Sequence, residues 1–160
     1  MKIPRWRVLL PIALLLTVLA PAVRSLSGGE AVPDPWLILT LLALPMFHGE
    51  KIGTGIRFVF LMGLLRASVS AVSPFSSWAG LAGALIVREQ VQRRLTDEHF
   101  VLRFVTGILS ALLPTWLDAL DASRLGVEIP WNSLNLRIFW VGLLWAMLKR
   151  PSSSRTSSHR

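Results

Sequence analysis

The sequence predicts an all-α, polytopic membrane protein with about six transmembrane helices, and three observations support this fold class. Of its 160 residues, 52% are apolar and only 16% are charged, whereas a soluble domain carries about a quarter charged residues. The apolar residues fall into six runs separated by short polar joints. Lys and Arg, which give the chain a formal net charge of +8, are concentrated in alternate joints.

Composition and charge also exclude several classes of function. The chain has no cysteine and its three histidines are far apart, so a disulfide scaffold and a zinc module are excluded. A basic chain could bind nucleic acid, but these basic residues lie in joints between apolar runs rather than on one polar face. We therefore expect a lipid bilayer, and no nucleic acid, around this protein.

Each of the six apolar runs predicts one membrane-crossing helix. The runs cover residues 8–23, 35–47, 53–72, 75–87, 101–117 and 135–148. None is an unbroken apolar stretch of the roughly 20 residues that cross a bilayer core of about 30 Å, so the second and fourth runs need tilt or local thinning. Together they form one domain, residues 1–150, and the Ser-rich basic tail at 151–160 is expected to be disordered.

The first two runs have distinct beginnings. The first follows the basic stretch MKIPRWR, and a rival interpretation is a cleaved signal peptide with the small residues 20–22 as its cleavage site. Pro21 in the middle of that site disfavours cleavage, and its loss would leave an odd number of crossings. The second run opens after Asp34. Pro11 and Pro45 predict kinks within the two runs.

The third and fourth runs are expected to form a helical hairpin, because Pro74 marks a tight turn between them. In the fourth run, Ala79 and Gly83, and likewise Gly80 and Ala84, are small residues four positions apart, which allows close helix approach. The fifth run contains Pro114, a further predicted kink, and the sixth ends before a basic stretch.

The distribution of charge predicts that both termini are cytoplasmic. With six crossings, most Lys and Arg then lie inside, and only Arg24 and Arg124 lie outside. The acidic residues show the opposite bias. Those expected outside are Glu30, Asp34, Asp118, Asp121 and Glu128. Four tryptophans, at positions 36, 78, 116 and 131, are expected at the outer interface, which suits their amphipathic rings.

Arginine within a membrane segment requires an explanation, since it costs about 2.5 to 3.5 kcal/mol at the bilayer centre. Arg57, Arg103 and Arg137 lie near predicted segment ends, where a long side chain can reach the interface. Arg66 lies about 13 Å beyond Arg57 at the helical rise, so we expect it to face the bundle interior.

An acidic residue at the outer end of the fifth run is the expected partner of Arg66. Asp118 and Asp121 are three residues apart and so share one helix face. The alternative is that both aspartates are simply solvated at the outer surface. Arg66, Asp118 and Asp121 form the candidate intramembrane polar site, which would bind a partner or a ligand.

Two joints are candidate contact regions outside the bilayer. The cytoplasmic joint REQVQRRLTDEHF places Arg88, Arg93 and Arg94 beside the membrane, where they could bind anionic lipid or a cytoplasmic partner. They could equally serve only to fix the orientation. The outer joint at 118–131 is the best external site for another protein.

The sequence contains no catalytic motif. The nucleophile elbow GxSxG, the zinc motif HExxH and the Walker glycine loop are all absent from it. We therefore expect neither an enzyme nor a cofactor, and no catalytic or metal-ligating residue is proposed.

The order of several weak motifs resembles the rod shape-determining protein MreD family, small polytopic proteins of the bacterial inner membrane. The motifs are Pro33-Asp34, His48-Gly49-Glu50, Gly63-Leu64-Leu65, Ser70, Pro74 and the basic residues from Arg88 to Arg94. The sequence departs from the family at Arg66, where an acidic residue is common, and at Ala71, where glycine is common. The resemblance covers most of the chain and is strongest from residue 33 to 95.

The resemblance implies a non-enzymatic component of the elongation machinery that directs peptidoglycan synthesis. Its partners would be a periplasmic scaffold protein similar to MreC and other proteins of that machinery. The family's helical fold is similar to the substrate-binding subunits of energy-coupling-factor vitamin transporters. This similarity supplies the alternative, a membrane subunit that binds a small, vitamin-like molecule for uptake. Such a subunit needs a polar pocket at its outer face, and polar pocket residues are sparse in this sequence.

Overall fold

The fold consists of six α-helices in a computed structural model that describes residues 6–25, 32–43, 52–70, 72–94 and 99–148. No strand occurs within these ranges. The helices are α1 Trp6–Arg24, α2 Pro35–Ala43, α3 Ile52–Ser68, α4 Pro74–Arg94, α5 Phe100–Arg124 and α6 Trp131–Leu148. The all-helical prediction and the number of helices are thus confirmed. The predicted kink at Pro45 and the tail at 151–160 lie outside the described residues.

The helices pack mainly with their neighbours in sequence. The most extensive packing is that of α5 with α4 and α6, and α3 packs on α4. The short α2 contacts α3, α4 and α6, while α1 lies against α2 and α3. We call the end of the bundle that carries the turns at 69–73 and 125–130 the outer end, and the opposite end the inner end.

Two helices continue seven residues past the C-terminal ends of the apolar runs that predict them. α4 continues beyond residue 87 to Arg94, and α5 continues beyond residue 117 to Arg124. Both extensions, REQVQRR and DALDASR, contain good helix formers, so the backbone stays helical after the hydrophobic pattern ends. α5 ends at Arg124, and the chain then leaves the helix at Gly126. The φ of Gly126, +73°, is the left-handed conformation that often follows the last residue of a helix. The N–H of Val127 closes this cap by donating to the carbonyl of Ala122 at 2.9 Å.

Small residues bring helices close together, as the sequence predicts for α4. A Cβ added at Gly80 would lie 3.0 Å from the Cα of Pro114, so α4 uses this face against α5. A second close approach was not anticipated: a Cβ at Gly107 would lie 2.8 Å from the Cα of Gly142 in α6. Both contacts are internal to the bundle.

The tryptophans divide between the core and the surface. Trp116 and Trp131 are 58% and 76% exposed, in keeping with an interfacial position. The expectation for Trp36 is wrong, because its side chain is fully buried and its indole Nε1 donates to Thr17 Oγ1 at 3.2 Å. Trp36 thereby joins α2 to α1. Trp78 is half-buried and donates to the backbone carbonyl of Phe60.

Among the described helices, one is long and apolar enough by itself to cross a bilayer. This helix is α5, which has 25 residues and contains an 18-residue stretch with a mean hydropathy of 1.6. The apolar part of α1, Leu9–Val23, is shorter.

Candidate functional site

Arg66 lies at the centre of a buried ion-pair cluster at the outer end of the bundle. It occupies the last turn of α3, and only 2% of its surface is exposed. Its Nη2 donates to both carboxylate oxygens of Asp118, at 2.7 and 2.6 Å. Its Nε donates to Asp34 Oδ2, and its Nη1 lies 3.4 Å from Ser77 Oγ. One guanidinium therefore joins α3 to α2, α4 and α5.

Asp34 holds two elements in place at once. Its Oδ1 accepts hydrogen bonds from the N–H groups of Trp36 at 3.0 Å and Leu37 at 3.1 Å, so it caps the N-terminus of α2. Pro35 follows at the first helical position, where proline is favoured. The other carboxylate oxygen accepts from Arg66. This single residue thus fixes the start of α2 to the end of α3.

The pKa of Asp34, which precedes α2, is lowered by these contacts. Burial by itself raises the pKa of a carboxyl group, but the charge of Arg66 and the hydrogen bonds from Arg66 and Leu37 outweigh it. Asp34 therefore remains a carboxylate in the folded protein at neutral pH.

Asp118 extends the cluster to the sixth helix. Its Oδ2 lies 3.4 Å from Nη1 of Arg137 in α6, in addition to the contacts with Arg66. Two arginines and two aspartates therefore meet in one place, and their formal charges cancel. Such mutual neutralisation is the arrangement in which charged side chains persist inside a helical membrane bundle.

The structure distinguishes between the two aspartates that the sequence offers to Arg66. The contact with Asp118 is present. Asp121 instead accepts from the backbone N–H of Ser73 at 3.0 Å and lies 3.5 Å from Arg124. It thus fastens the turn between α3 and α4 to the end of α5. The expectation that Asp121 belongs to the site around Arg66 is therefore wrong, although Asp121 lies only one helical turn from Asp118.

Arg88, Arg93 and Arg94 do not form one cytoplasmic surface. Arg88 is only 2% exposed, and the prediction that it is a surface contact is wrong. Its Nη1 donates to the carbonyl of Leu41 near the C-terminus of α2, and its guanidinium lies 6.0 Å from the ring centroid of Trp145. The carbonyl groups at the end of a helix lack partners within it and carry partial negative charge, which explains why the side chain of Arg88 points into the bundle.

The other two arginines of that joint remain at the surface. Arg93 forms an ion pair of 2.7 Å with Glu89, one turn earlier in α4, and its side chain is 53% exposed. Arg94 is exposed at the end of the helix. Their role in contacting lipid or a cytoplasmic partner stays a prediction.

The geometry of the cluster defines what it can do. The side chains of Arg66, Asp34 and Asp118 are 3%, 7% and 8% exposed, and their polar atoms face one another. Arg66 directs its donors at three partners within the chain, which suits it to fastening helices rather than to holding an external anion. No group of metal-binding side chains occurs in the described part of the chain.

An apolar cavity of about 300 Å³ lies beside the cluster, between α1 and α2. Its walls include Leu16, Leu19, Val32 and Trp36. Pro33 and Pro35, on either side of Asp34, also line it, so the cavity adjoins the cluster without containing its charged groups.

Sequence reasoning missed three members of the cluster. Asp34 was assigned to the outer surface, Arg137 to the interface, and Ser77 was not singled out. The signal for Asp34 was its position before an apolar run, typical of a helix cap. Its pairing with Arg66, 32 residues away, had no local signature.

No protein-family model, curated protein or solved structure matches the chain. The resemblance to the MreD family therefore stays a prediction.

Proposed function

We propose that this chain is a non-enzymatic, multi-pass component of the bacterial inner membrane, with both termini cytoplasmic, that belongs to the cell-shape machinery directing peptidoglycan synthesis. Its role is to bind a periplasmic scaffold partner at the outer end of the bundle. The proposal combines the sequence resemblance with three features of the structure.

The first feature is the apolar surface of the helices, which supports more than one membrane crossing. Every helix carries a large apolar side chain that is 38% to 75% exposed; examples are Val18, Leu42, Ile56, Ile86, Leu112 and Phe139. A soluble bundle would turn these faces inward, whereas lipid covers them at no cost. The charged Arg66 and Arg88 are buried instead. Arg66 contacts Ser77 of α4, which lies about 16 Å from Arg88 along that helix.

The observation that carries the partner-binding role is an exposed surface at the outer end. This surface, which we call the outer patch, consists of Leu125, Val127, Glu128 and Trp131. The three apolar members are 60%, 55% and 76% exposed, although the turn is fixed by the helix cap at Gly126. Rigid, exposed aromatic and aliphatic side chains next to a charge are typical of a protein interface.

The buried cluster is the third feature, and it favours a scaffold over a receptor for a polar ligand. It holds the ends of five helices, including both helices that flank the outer patch, and its own charges cancel. A rigid platform lowers the entropic cost of binding a partner. A vitamin-binding subunit would need polar groups that remain free to contact the ligand.

One observation favours the alternative, a small-molecule binding subunit of an uptake transporter. The apolar cavity between α1 and α2 has the volume of a small ligand site and is lined by the two prolines that flank Asp34. Its apolar walls suit a hydrophobic molecule rather than a charged vitamin.

Gentle detergent purification of the tagged protein from its own membranes, with depletion of its gene in parallel, tests the proposal. We expect a periplasmic scaffold protein and cell-wall synthesis proteins to co-purify, and depleted cells to lose their shape. Trp131→Ala should lower recovery of the scaffold at least about tenfold, the effect of losing a central interface aromatic.

Phe75→Ala is the matched control, because Phe75 is also at the start of a helix at the outer end and is 77% exposed. It should leave recovery unchanged. Co-purification of a transporter membrane subunit with ATPases, together with normal cell shape, would replace the proposal with the alternative.

A further inference from the structure

An apolar groove runs along the outside of the bundle between α3 and α4. It has a volume of about 300 Å³ and is lined by Ile56, Val59, Phe60, Trp78, Ala82 and Ile86. Phe60 and Trp78 stack at its outer end with ring centroids 4.6 Å apart. The indole N–H of Trp78 already donates to the carbonyl of Phe60, so the groove presents only apolar surface to an occupant.

The dimensions of the groove select a slender occupant. From Trp78 to Ile86 it spans about 12 Å along α4, and its volume is about a third of that of a helix segment of the same length and about 10 Å in diameter. A helix with its side chains is about 10–12 Å in diameter and would rest on this surface without entering it. A single methylene chain is about 4 Å thick and fits. The length is also close to the roughly 15 Å of one bilayer leaflet.

A basic residue lies next to the inner end of the groove, which Ile56 and Ile86 line. Arg57 follows Ile56 in α3, and it is exposed. Gly53, one turn earlier, leaves open space, since a Cβ there would meet nothing within 4 Å. Arg93 lies on the corresponding face of α4 but is paired with Glu89, so Arg57 supplies the available positive charge.

From this arrangement we infer that the groove holds one acidic phospholipid of the cytoplasmic leaflet. Its acyl chain lies between α3 and α4 and ends beneath Trp78, while its phosphate pairs with Arg57. The inference uses the membrane orientation given under Proposed function, but it requires neither the cell-shape role nor the periplasmic partner.

Native mass spectrometry of the purified protein tests this site. The protein is equilibrated with mixed micelles that contain phosphatidylglycerol and phosphatidylcholine in equal amounts. We expect one retained phospholipid, with phosphatidylglycerol preferred. Arg57→Gln should reduce that preference about fivefold, the effect of one charge near an anionic headgroup, while Arg94→Gln should leave it unchanged.

Filling the groove tests the acyl-chain position. Ala82→Trp should remove retention of both lipids, whereas Leu112→Trp, which adds the same ring on a distant exposed face of α5, should not. If Ala82→Trp fails to fold, Ile86→Trp gives the same test at an exposed lining position. Equal retention in groove and control variants, no retained lipid, or a protein dimer in place of the lipid adduct would overturn the inference. A loss of cell-shape function with lipid retention intact would affect only the proposed function.

Discussion

Arg66 shows how a guanidinium remains charged away from water. Removing it from water costs several kcal/mol, and the carboxylates of Asp34 and Asp118 offset that cost together with Ser77. A buried pair of this kind need not stabilise the fold more than apolar side chains would. Loss of one partner is costly, however, because the remaining charge is left buried.

Replacing Arg66 with Met should therefore lower the free energy of unfolding by about 3–5 kcal/mol. Reversible unfolding of the purified protein in detergent measures this change. Adding Asp118→Asn should recover part of the loss, because the remaining arginine, Arg137, can balance only one of the two carboxylates. Adding Asp121→Asn is the control and should recover nothing. Equal recovery by the two aspartate variants would contradict the assignment of Asp118.

Asp34 gives the protein a predictable response to acid. Because its pKa is lowered on folding, its contribution to stability is present above the ordinary carboxyl pKa of 3.8 and is lost as the pH falls through the lowered value. Asp34→Asn should be less stable than the parent at pH 6, and the difference should shrink at pH 3. Unfolding in detergent at the two pH values checks this. A difference that does not change with pH would contradict the lowered pKa of Asp34, because Asn at this position can still cap α2.

At the scale of helices, the sequence predicted the presence of each helix better than the residues at which it ends. The six apolar runs each became a helix, because apolar composition carries that information directly. The ends of α4 and α5 were missed because charged helix formers interrupt the hydropathy pattern but not the backbone. Arg88 was misplaced for a related reason: hydropathy records its charge but not the carbonyl of Leu41 that draws it inward.

The crossing of α5 and α6 depends on two glycines. A methyl group at Gly107 would lie 2.8 Å from the backbone of Gly142, so Gly107→Ala should cost about 1–3 kcal/mol through overpacking. Gly53→Ala is the control in α3, where nothing lies within 4 Å, and it should change stability by less than about 1 kcal/mol. Unfolding midpoints of the two variants compare them. Similar midpoints for the two variants would mean that α5 and α6 can move apart to accommodate the methyl group without a loss of stability.

At the scale of the whole molecule, charged side chains are buried inside the bundle while apolar side chains cover its outside. Arg66 and Arg88 are buried near opposite ends of the bundle, and each donates hydrogen bonds to groups of other helices. Large apolar side chains occupy the outside. The pairing of Arg66 with an aspartate at the outer end of α5 could be predicted from charge and topology, but not the choice of Asp118 over Asp121. The role of Asp34 could not, because it depends on the tertiary position of a helix only nine residues long.

Site-directed cysteine labelling tests the multi-pass arrangement most directly, since the chain has no native cysteine. Single cysteines would replace Ser25, Ser68, Glu128, Arg94 and Leu148, all of them exposed. We expect a membrane-impermeant maleimide added to intact spheroplasts to label the first three, and to label Arg94→Cys and Leu148→Cys only after permeabilisation. Labelling of Glu128→Cys together with protection of Ser68→Cys would contradict six crossings, because α3 and α4 would then not span the membrane.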